Sequence, residues 1–186
     1  MEFMIRKATL DDCPAIEKLV ALSARGLSTE EYTPDQIEGA LRGAFGLDTQ
    51  LIKDGTYFVA EANGLLVGCG GWSKRKTLFG GDKHIARDAA ELDPKTDPAK
   101  IRAFFVHPEL ARKGIGRAIL ARCESEAMSN GFRSLELMST LPGLKMYSAC
   151  GFVAEEPVNY ELSPGLTIEF VPMKKMLKVY DNSEQR

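Results

Sequence analysis

The sequence predicts a single α/β domain in which helices cover both faces of a mixed β-sheet. Two segments support this prediction. Two strands joined at Asn63 and Gly64 are expected to run antiparallel, and a strand–helix–strand unit over residues 101–139 is expected to place two strands in parallel. With 186 residues, 44% of them hydrophobic, the chain can bury a core without disulfide or metal support, so we expect one domain over residues 1–186.

The chain is predicted to begin with one strand and two helices. Residues 3–9 (FMIRKAT) alternate between apolar and polar side chains, as a strand does. Thr9 and Asp12 have the spacing of a capping box and open the first helix. Thr33, followed by Pro34, opens a second and shorter helix.

A hairpin and a long loop are predicted next. Residues 56–62 and 65–72 read as strands, and the Asn-Gly pair between them tolerates the positive φ angles of a two-residue turn. Residues 73–100 are rich in Gly, Lys, Asp and Pro and have weak periodicity. We expect an ordered loop there, close to the functional site.

The strand–helix–strand unit has the clearest pattern in the chain. Residues 101–106 (IRAFFV) form an apolar, β-branched and aromatic run. After Gly114, apolar residues recur at every fourth position and mark one face of a helix: Ile115, Ile119, Cys123 and Ala127. Asn130 and Gly131 suit a left-handed helix end, and residues 133–139 resume strand alternation.

The last part of the chain is predicted to hold a short helix and further strands. Thr140 opens the helix and Gly151 ends it. Residues 152–156 begin a strand, and residues 165–175 (GLTIEFVPMKK) form the last strand behind a Ser-Pro-Gly turn. Residues 178–186 are expected to be a solvated, frayed tail.

Composition excludes several classes of protein. The formal net charge is -2 and the sequence pI is about 5.8, so the basic footprint of a dedicated nucleic-acid binder is missing. No apolar run reaches the ~20 residues of a membrane helix, and the N-terminus lacks the apolar core of a signal peptide. We therefore expect a cytoplasmic protein with neither nucleic acid nor membrane as a partner.

Cysteine spacing argues against a metal site. The four cysteines lie far apart, form no CxxC pair, and are accompanied by only two histidines, which is not a zinc pattern. Their neighbours are apolar. We expect reduced, buried thiols: Cys13, Cys69, Cys123 and Cys150.

A glycine-containing loop joins the apolar strand to the following helix. In residues 111–118 (ARKGIGRA), the glycines allow a ligand to approach the backbone, and the free N–H groups of the first helical turn favour an anion such as phosphate. A dinucleotide fingerprint would need glycine in place of Ile119, and the Gly-Lys-Ser/Thr of a Walker loop is absent. Three basic residues either add charge to the anion site or are solvated surface residues: Arg112, Lys113 and Arg117.

With these features the chain resembles the GNAT superfamily of acetyl-CoA-dependent N-acetyltransferases. The resemblance covers nearly the whole chain: the first strand and its two helices, the hairpin, the strand FFVHP, the loop ARKGIG and the helix ending in MYSACGF. It implies a GNAT-like mixed sheet, splayed at its centre and flanked by helices on both faces. It also implies acetyl-CoA as cosubstrate and no metal.

The resemblance assigns the cofactor site. In the family, the loop reads Gln/Arg-x-x-Gly-x-Gly/Ala, and its amides hold the pyrophosphate of coenzyme A; here Ala111 occupies the first position. The main-chain groups of Phe105 and Val106 are expected to face the pantetheine arm in the splayed gap. The expected cofactor-binding residues of the loop and first helical turn are Arg112, Lys113, Gly114, Ile115, Gly116, Arg117 and Ala118.

Tyr147 is the proton donor that the resemblance implies. In many relatives, the hydroxyl of this tyrosine protonates the leaving thiolate, and a phenol with a pKa near 10 is an adequate donor. The alternative is a tyrosine that packs on the sheet with its hydroxyl merely hydrogen-bonded. Thr140 and Gly143 stand where the family often has Asn and Ala.

The implied reaction is direct transfer of the acetyl group to an amine, without a covalent enzyme intermediate. The amine must lose a proton, and the candidate bases Glu61, Glu136 and His107 stay unassigned. Two alternatives are open: a non-catalytic acyl-CoA sensor, and an acyltransferase for longer chains. The acceptor is a small molecule or a peptide amine.

Acceptor recognition is expected in two loops, residues 25–36 (RGLSTEEYTPDQ) and 72–84 (WSKRKTLFGGDKH). Tyr32 and Trp72 either form an aromatic wall for the acceptor or pack beneath these loops. The resemblance also places residues 165–174 near a homodimer interface.

Overall fold

Eight strands form one mixed β-sheet in the computed structural model, which describes residues 2–84 and 88–177. In chain order, the helices and strands are β1 (Met4–Lys7), α1 (Cys13–Leu27), α2 (Pro34–Ala40), α3 (Thr49–Lys53), β2 (Tyr57–Ala62), β3 (Leu65–Ser73), β4 (Ala99–Val106), α4 (Ile115–Ser129), β5 (Ser134–Thr140), α5 (Leu144–Ala149), β6 (Val153–Ala154), β7 (Val158–Ser163) and β8 (Leu166–Met176). The strand order is β1-β2-β3-β4-β5-β8-β6, with β7 also paired to β8. The predicted mixed α/β fold is confirmed.

The sheet is antiparallel except at its centre. β4 and β5 are the parallel pair, because α4 crosses between them and returns the chain to the same end of the sheet. Every other described pair is antiparallel. The sheet therefore has two antiparallel halves that meet at one parallel junction.

Local signals explain the first elements. The Asp12 carboxylate accepts hydrogen bonds from the Thr9 N–H and from Arg6, both at 2.8 Å, and so fixes the entry to α1. The Thr33 hydroxyl accepts from the Gln36 N–H at 3.3 Å, which caps α2. The predicted start of α2 is confirmed. The Thr9 capping box opens a 3₁₀ turn, Leu10–Asp12, which leads directly into α1 at Cys13.

The predicted hairpin between β2 and β3 is confirmed. Asn63 and Gly64 have φ angles of 51° and 75°, the left-handed pair that a two-residue turn requires. Val59 on β2 pairs with Cys69 on β3. The first half of the sheet thus has a fixed register against which β4 is added.

Two elements were not predicted from the sequence. α3 has five residues and begins where the Asp48 carboxylate accepts from the Gln50 N–H at 3.1 Å. β7 is an edge strand with alternating half-buried and exposed residues. The strand predicted at residues 152–156 is reduced to Val153 and Ala154. Leu177 is buried, whereas the predicted tail over residues 178–186 lies outside the described residues.

Each face of the sheet has its own core. On one face, α4 packs Ile115, Ile119 and Cys123 against β2, β3 and β4. On the other face, α1 and α2 pack around Ile16 and Leu19. Successive residues of β4 alternate between the two cores, with Phe104 in the first and Phe105 in the second.

All four cysteine thiols are free, as predicted, but their burial differs. Cys69 and Cys123 are buried, whereas Cys13 and Cys150 are half-buried, which corrects the prediction for these two. Within the described part of the chain, no group of three or more His, Cys, Asp or Glu side chains could hold a metal ion. No helix of that part has the length and apolar character needed to cross a membrane.

Candidate functional site

The sheet splits between β4 and β5. Within the described residues, these strands pair at two positions, Ala99 with Leu135 and Lys100 with Glu136. Beyond Lys100 the strands diverge, so residues 101–106 have a partner strand only on the β3 side. The splayed centre that the resemblance implied is confirmed.

A bulge in β4 lies beside the split. Ala103 has a φ of 55°, and the register with β3 shifts between Cys69 and Gly71. The Tyr57 hydroxyl donates to the Ala103 carbonyl at 3.0 Å and holds the bulge from beneath. Burial raises the pKa of Tyr57 well above its ordinary value, so the phenol stays a donor.

Val106, rather than Phe105, turns its main-chain N–H into the split. The neighbouring His107 N–H donates to the Val67 carbonyl of β3, and N–H directions alternate along a strand. The Val106 N–H donates instead to the Ser23 hydroxyl of α1 at 3.1 Å. Phe105 therefore contributes its side chain to the site, which corrects the expectation of a main-chain role.

The loop between β4 and α4 presents free amides. A short 3₁₀ turn at Pro108–Leu110 leads to Arg112 and Gly114, whose φ angles are 64° and 85°. The backbone N–H groups of residues 112–117 donate to no described residue. A loop that alternates into the left-handed region just before a helix N-terminus forms a concave set of donors suited to an anion.

The two glycines of the loop have different roles. Gly114 needs its left-handed φ, and open space lies in front of it. At Gly116 a Cβ atom would stand 2.8 Å from the sulfur of Met146, so this glycine lets α5 approach α4. The Arg117 guanidinium adds a second link between these helices by donating to the Ala149 carbonyl at 3.1 Å.

Tyr147 lies on α5 and faces the same split. Its side chain is 8% exposed, and its ring meets Phe104 and Phe152 edge-on at centroid distances of 6.2 and 5.7 Å. Among the described residues, its hydroxyl has no hydrogen-bond partner. Burial raises the pKa of Tyr147 well above its ordinary value, so the phenol is neutral at physiological pH.

A cavity of about 630 Å³ occupies the split and is lined from both faces of the sheet. From the α4 face come Gly114, Gly116 and Tyr147, and from the α1 face come Phe45 and Phe79. Of the residues predicted for the site, the cavity is lined by Phe105, Val106, Arg112, Gly114, Ile115, Gly116, Arg117 and Tyr147. Lys113 is exposed and Ala118 half-buried, and neither lines the cavity.

Part of the long loop covers the α1 side of the cavity. The Gly81 N–H donates to the Gly43 carbonyl at 3.0 Å, and the Asp82 N–H donates to the Leu47 carbonyl at 2.8 Å. The Asp82 carboxylate also accepts from the Thr49 N–H at 3.1 Å. Residues 78–84 are therefore attached to residues 43–49, and the expectation of an ordered loop near the site is confirmed for them.

A buried ion pair lies under this cover. The Arg102 guanidinium contacts the Asp48 carboxylate at 2.7 Å, and the two side chains are 3% and 0% exposed. Arg102 also donates to the Gly80 carbonyl. One side chain of β4 thus connects the strand to both segments of the cover.

Neither predicted acceptor-wall residue lines the cavity. The Tyr32 hydroxyl donates to the Glu169 carbonyl at 2.7 Å and accepts from the Leu141 N–H at 2.9 Å. Trp72 packs on Phe132 at 5.9 Å in the core on the α4 face. The interpretation of Tyr32 and Trp72 as an aromatic wall for the acceptor is therefore wrong. Both residues pack beneath the loops instead.

The three candidate bases also lie outside the cavity lining. Glu61 contacts Arg6 at 3.3 Å on the outer strands, and Glu136 contacts Lys100 where β4 and β5 still pair. The Nδ1 atom of His107 is buried without a partner in the described part of the chain. The structure brings none of them to the split.

Several contributors to the cavity were not singled out from the sequence, among them Ser23, Phe45 and Phe170. Phe79 lies within the predicted acceptor loop of residues 72–84 but was not named. The strings GAFG and LFGG carry a usable signal, because glycines close to an aromatic residue permit two loops to approach closely. Gly46 and Gly81 do so: a Cβ atom on Gly81 would lie 2.8 Å from the Gly46 Cα atom.

Comparisons with known proteins agree with this geometry. Residues 22–152 match the profile of the acetyltransferase (GNAT) family. Among curated protein sequences, no significant match to the chain is found.

Solved structures share the fold at low sequence identity. A GCN5-related N-acetyltransferase from Rhodopseudomonas palustris is 17% identical, with 95% of this chain and 97% of that chain covered and a TM-score of 0.70. PaiA N-acetyltransferase from Thermoplasma acidophilum, in complex with coenzyme A, is 17% identical over 95% and 100% of the two chains, with a TM-score of 0.64. The ribosomal-protein-S18-alanine N-acetyltransferase from Escherichia coli is 16% identical over 98% of each chain, with a TM-score of 0.60.

Proposed function

Because this chain belongs to the GNAT acetyltransferase family, we propose that it transfers the acetyl group of acetyl-CoA directly to an amine within a ternary complex. The observation that carries the proposal is the split itself. On the α4 side, one continuous cavity is lined both by Tyr147 and by residues whose backbone N–H groups are free of partners among the described residues: Arg112, Gly114, Ile115, Gly116 and Arg117. A neighbour of the same fold was solved with coenzyme A.

The residues present fit a phosphate-bearing thioester. The unpaired amides of residues 112–117 suit a pyrophosphate, and the side chains of Arg112, Arg117 and Lys145 add positive charge where they line the cavity. The Val106 N–H points into the split, where it can donate to a ligand once the Ser23 hydroxyl releases it. Acetyl-CoA would supply an acetyl group activated as a thioester.

Tyr147 would hold the proton that the leaving sulfur needs. Burial raises the pKa of Tyr147, so the phenol is protonated but is a weaker acid than an ordinary tyrosine. Its hydroxyl has no competing partner among the described residues. Residues 43–49 and 78–84 are hydrogen-bonded to each other and cover the other side of the split. These residues position the reactants and supply the proton that the leaving thiolate gains. The proton that the amine nitrogen loses passes to water, because none of the three candidate bases lines the cavity.

We also place the enzyme in the cytoplasm. Four free thiols, of which Cys13 and Cys150 are accessible in part, support a reducing compartment.

The first test is a thermal-shift titration with acetyl-CoA, coenzyme A, NAD and ATP. A ligand at ~100 times its dissociation constant adds about 2.7 kcal/mol of stability. We expect stabilisation by the two coenzyme A species only. Equal shifts with NAD or ATP, or no shift with acetyl-CoA, would contradict the proposed cofactor.

The second test is thiol release in the presence of amines, compared between acetyl-CoA and longer acyl donors. Turnover with acetyl-CoA supports an acetyltransferase, and a faster reaction with longer acyl chains would favour the long-chain alternative. Tight binding of coenzyme A without turnover on any amine would favour a non-catalytic sensor.

A further inference from the structure

We propose that the acceptor is a small amine with an aromatic or similarly bulky apolar body and no carboxylate next to its nitrogen. The inference rests on the proposed acetyl transfer. It concerns the end of the cavity on the α1 face of the sheet, opposite the free amides of residues 112–117.

Four phenylalanines form an apolar chamber at this end: Phe45, Phe79, Phe105 and Phe170. Phe45 meets Phe105 and Phe170 at centroid distances of 6.1 Å each, and Phe79 meets Phe170 at 5.6 Å. Leu78 and Met138 complete the apolar lining. A ring entering this phenylalanine chamber would extend an edge-to-face network, whereas a hydrophilic body would lose hydration without gaining hydrogen bonds.

The charges near the chamber disfavour an acidic acceptor. Arg102 lines the cavity here, but its guanidinium is already matched by the Asp48 carboxylate at 2.7 Å and by the Gly80 carbonyl. The other cations of the lining, Arg112, Arg117 and Lys145, lie on α4, α5 and the loop between β4 and α4. A carboxylate beside the amine would therefore enter the described part of the chamber without a free cationic partner there, because these three cations lie on the α4 side of the split.

Two exposed carboxylates reinforce this preference. Glu30 and Glu31, in the loop between α1 and α2, line the cavity, and neither has an ion-pair partner in the described part of the chain. Their charge attracts a protonated amine and repels a carboxylate, an effect on encounter more than on affinity.

The cover over the chamber favours a small molecule. Residues 78–84 are hydrogen-bonded to residues 43–49, and His84 Nδ1 lies 3.3 Å from the Tyr160 hydroxyl of β7. On the other side, Tyr32 ties the loop between α1 and α2 to Glu169 and Leu141. If the acceptor were a polypeptide, the rest of its chain would have to extend out of the chamber through this covered side. A single aromatic amine has no such chain.

The experiment compares kcat/KM for four acceptors with acetyl-CoA: 2-phenylethylamine, ethylamine, L-phenylalanine and phenylalanyl-glycinamide. The first two differ by the ring, and the first and third differ by the carboxylate. We expect 2-phenylethylamine to exceed each of the others by at least about tenfold, the scale on which an apolar pocket discriminates.

Variants test whether the acceptor preference depends on the phenylalanine chamber and on the carboxylates of Glu30 and Glu31. In Phe79→Ala, the ratio of kcat/KM between 2-phenylethylamine and ethylamine should fall about fivefold or more, and Phe79→Leu, which keeps apolar bulk, should retain most of that ratio. In a Glu30→Gln, Glu31→Gln double variant, the ratio of kcat/KM between 2-phenylethylamine and L-phenylalanine should fall. The comparison of acceptors with the unaltered enzyme stands even where a variant fails to fold.

The outcomes separate this inference from the proposed function. Transfer with a preference for ethylamine, L-phenylalanine or the peptide amide overturns the acceptor class and leaves acetyl transfer standing. A Phe79→Ala variant with an unchanged ring preference also overturns it. No transfer to any amine, in protein that coenzyme A stabilises, overturns the proposed function and the acceptor class together.

Discussion

Two buried tyrosines close to the split differ in what their hydroxyls contact. Tyr147 lines the cavity, and its hydroxyl has no partner among the described residues. The Tyr32 hydroxyl is held between the Glu169 carbonyl and the Leu141 N–H. The first is free to exchange a proton with a ligand, and the second holds two segments of the fold together.

Replacing Tyr147 by phenylalanine tests the role of a proton donor. We expect Tyr147→Phe to lower kcat by about 100-fold or more. Binding of coenzyme A should change little, because the ring keeps its contacts with Phe104 and Phe152. Thiol-release kinetics measure the first effect and thermal shift the second. An unaltered kcat would make Tyr147 a packing residue.

Tyr32 should make stability depend on alkaline pH. Burial raises the pKa of Tyr32 to about 12, although the hydrogen bond from the Leu141 N–H opposes the shift. The folded pKa lies above the ordinary value near 10, so this contribution is complete below pH ~10 and is lost as the pH rises towards ~12. A shift of that size corresponds to about 2–3 kcal/mol.

Urea unfolding between pH ~9 and ~12 measures this dependence. Burial also raises the pKa values of Tyr57 and Cys69, so these groups too make the fold less stable as the pH rises. The test is therefore the difference between wild type and Tyr32→Phe. The variant should be less stable at pH 8 by about 1–3 kcal/mol, because it leaves the Leu141 N–H unpaired. It should also lose less stability as the pH rises, and parallel curves would contradict the assignment.

At the scale of an element, two glycine variants can distinguish the cofactor-binding role proposed for the loop before α4 from the role of an ordinary turn. Gly114 and Gly64 both have positive φ angles, 85° and 75°, and both face open space. Alanine at either position should therefore destabilise the fold by a similar ~1–2 kcal/mol. Only Gly114→Ala should also raise KM for acetyl-CoA, because Gly114 lines the cavity and Gly64 lies in the β2–β3 hairpin. Equal KM values for acetyl-CoA in the two variants would show that the loop does not contribute to the cofactor site.

The ion pair beneath the cover gives a second prediction for an element. Arg102→Met leaves the fully buried Asp48 carboxylate without its guanidinium partner, and we expect a loss of about 3–5 kcal/mol in urea unfolding. Adding Asp48→Asn should recover a substantial part of this loss. Asparagine removes the buried charge and can still cap the Gln50 N–H at the start of α3. Additive losses in the double variant would show that the two side chains are not coupled.

Elements with strong local signals were predictable from the sequence, and elements held by distant contacts were not. The helix after Gly114 has both its apolar repeat and its end residues in the sequence, and it spans Ile115–Ser129. α3 is too short to show a period and depends on the Asp48 cap. β7 was missed because an edge strand with one half-buried face lacks a run of apolar residues.

At the scale of the whole molecule, the split was predictable only through resemblance to a family. Strand patterns report which side chains face a core, but they do not report where two parallel strands part. The chamber was harder still, because Phe45, Phe79, Phe105 and Phe170 come from four separate segments. The free amides of the loop were predictable, because their position depends on one glycine-containing stretch.

The homodimer expected through residues 165–174 stays a prediction. Apolar side chains nearby are exposed, with Val153 at 70% and Met176 at 73%. We expect light scattering to give about twice the monomer mass of 20.4 kDa. Met176→Lys should then shift the mass towards the monomer without altering the fold, since the side chain is exposed. A monomeric mass for the unaltered protein would contradict the expectation.

The split also bears on the order in which the two reactants bind. The halves of the described sheet are joined by strand pairing at two positions, Ala99 with Leu135 and Lys100 with Glu136. The cavity between the halves is lined from opposite faces of the sheet. If acetyl transfer takes place there as proposed, the acetyl donor and the amine occupy opposite ends of one cavity, and we expect initial-rate kinetics to show no compulsory order of binding.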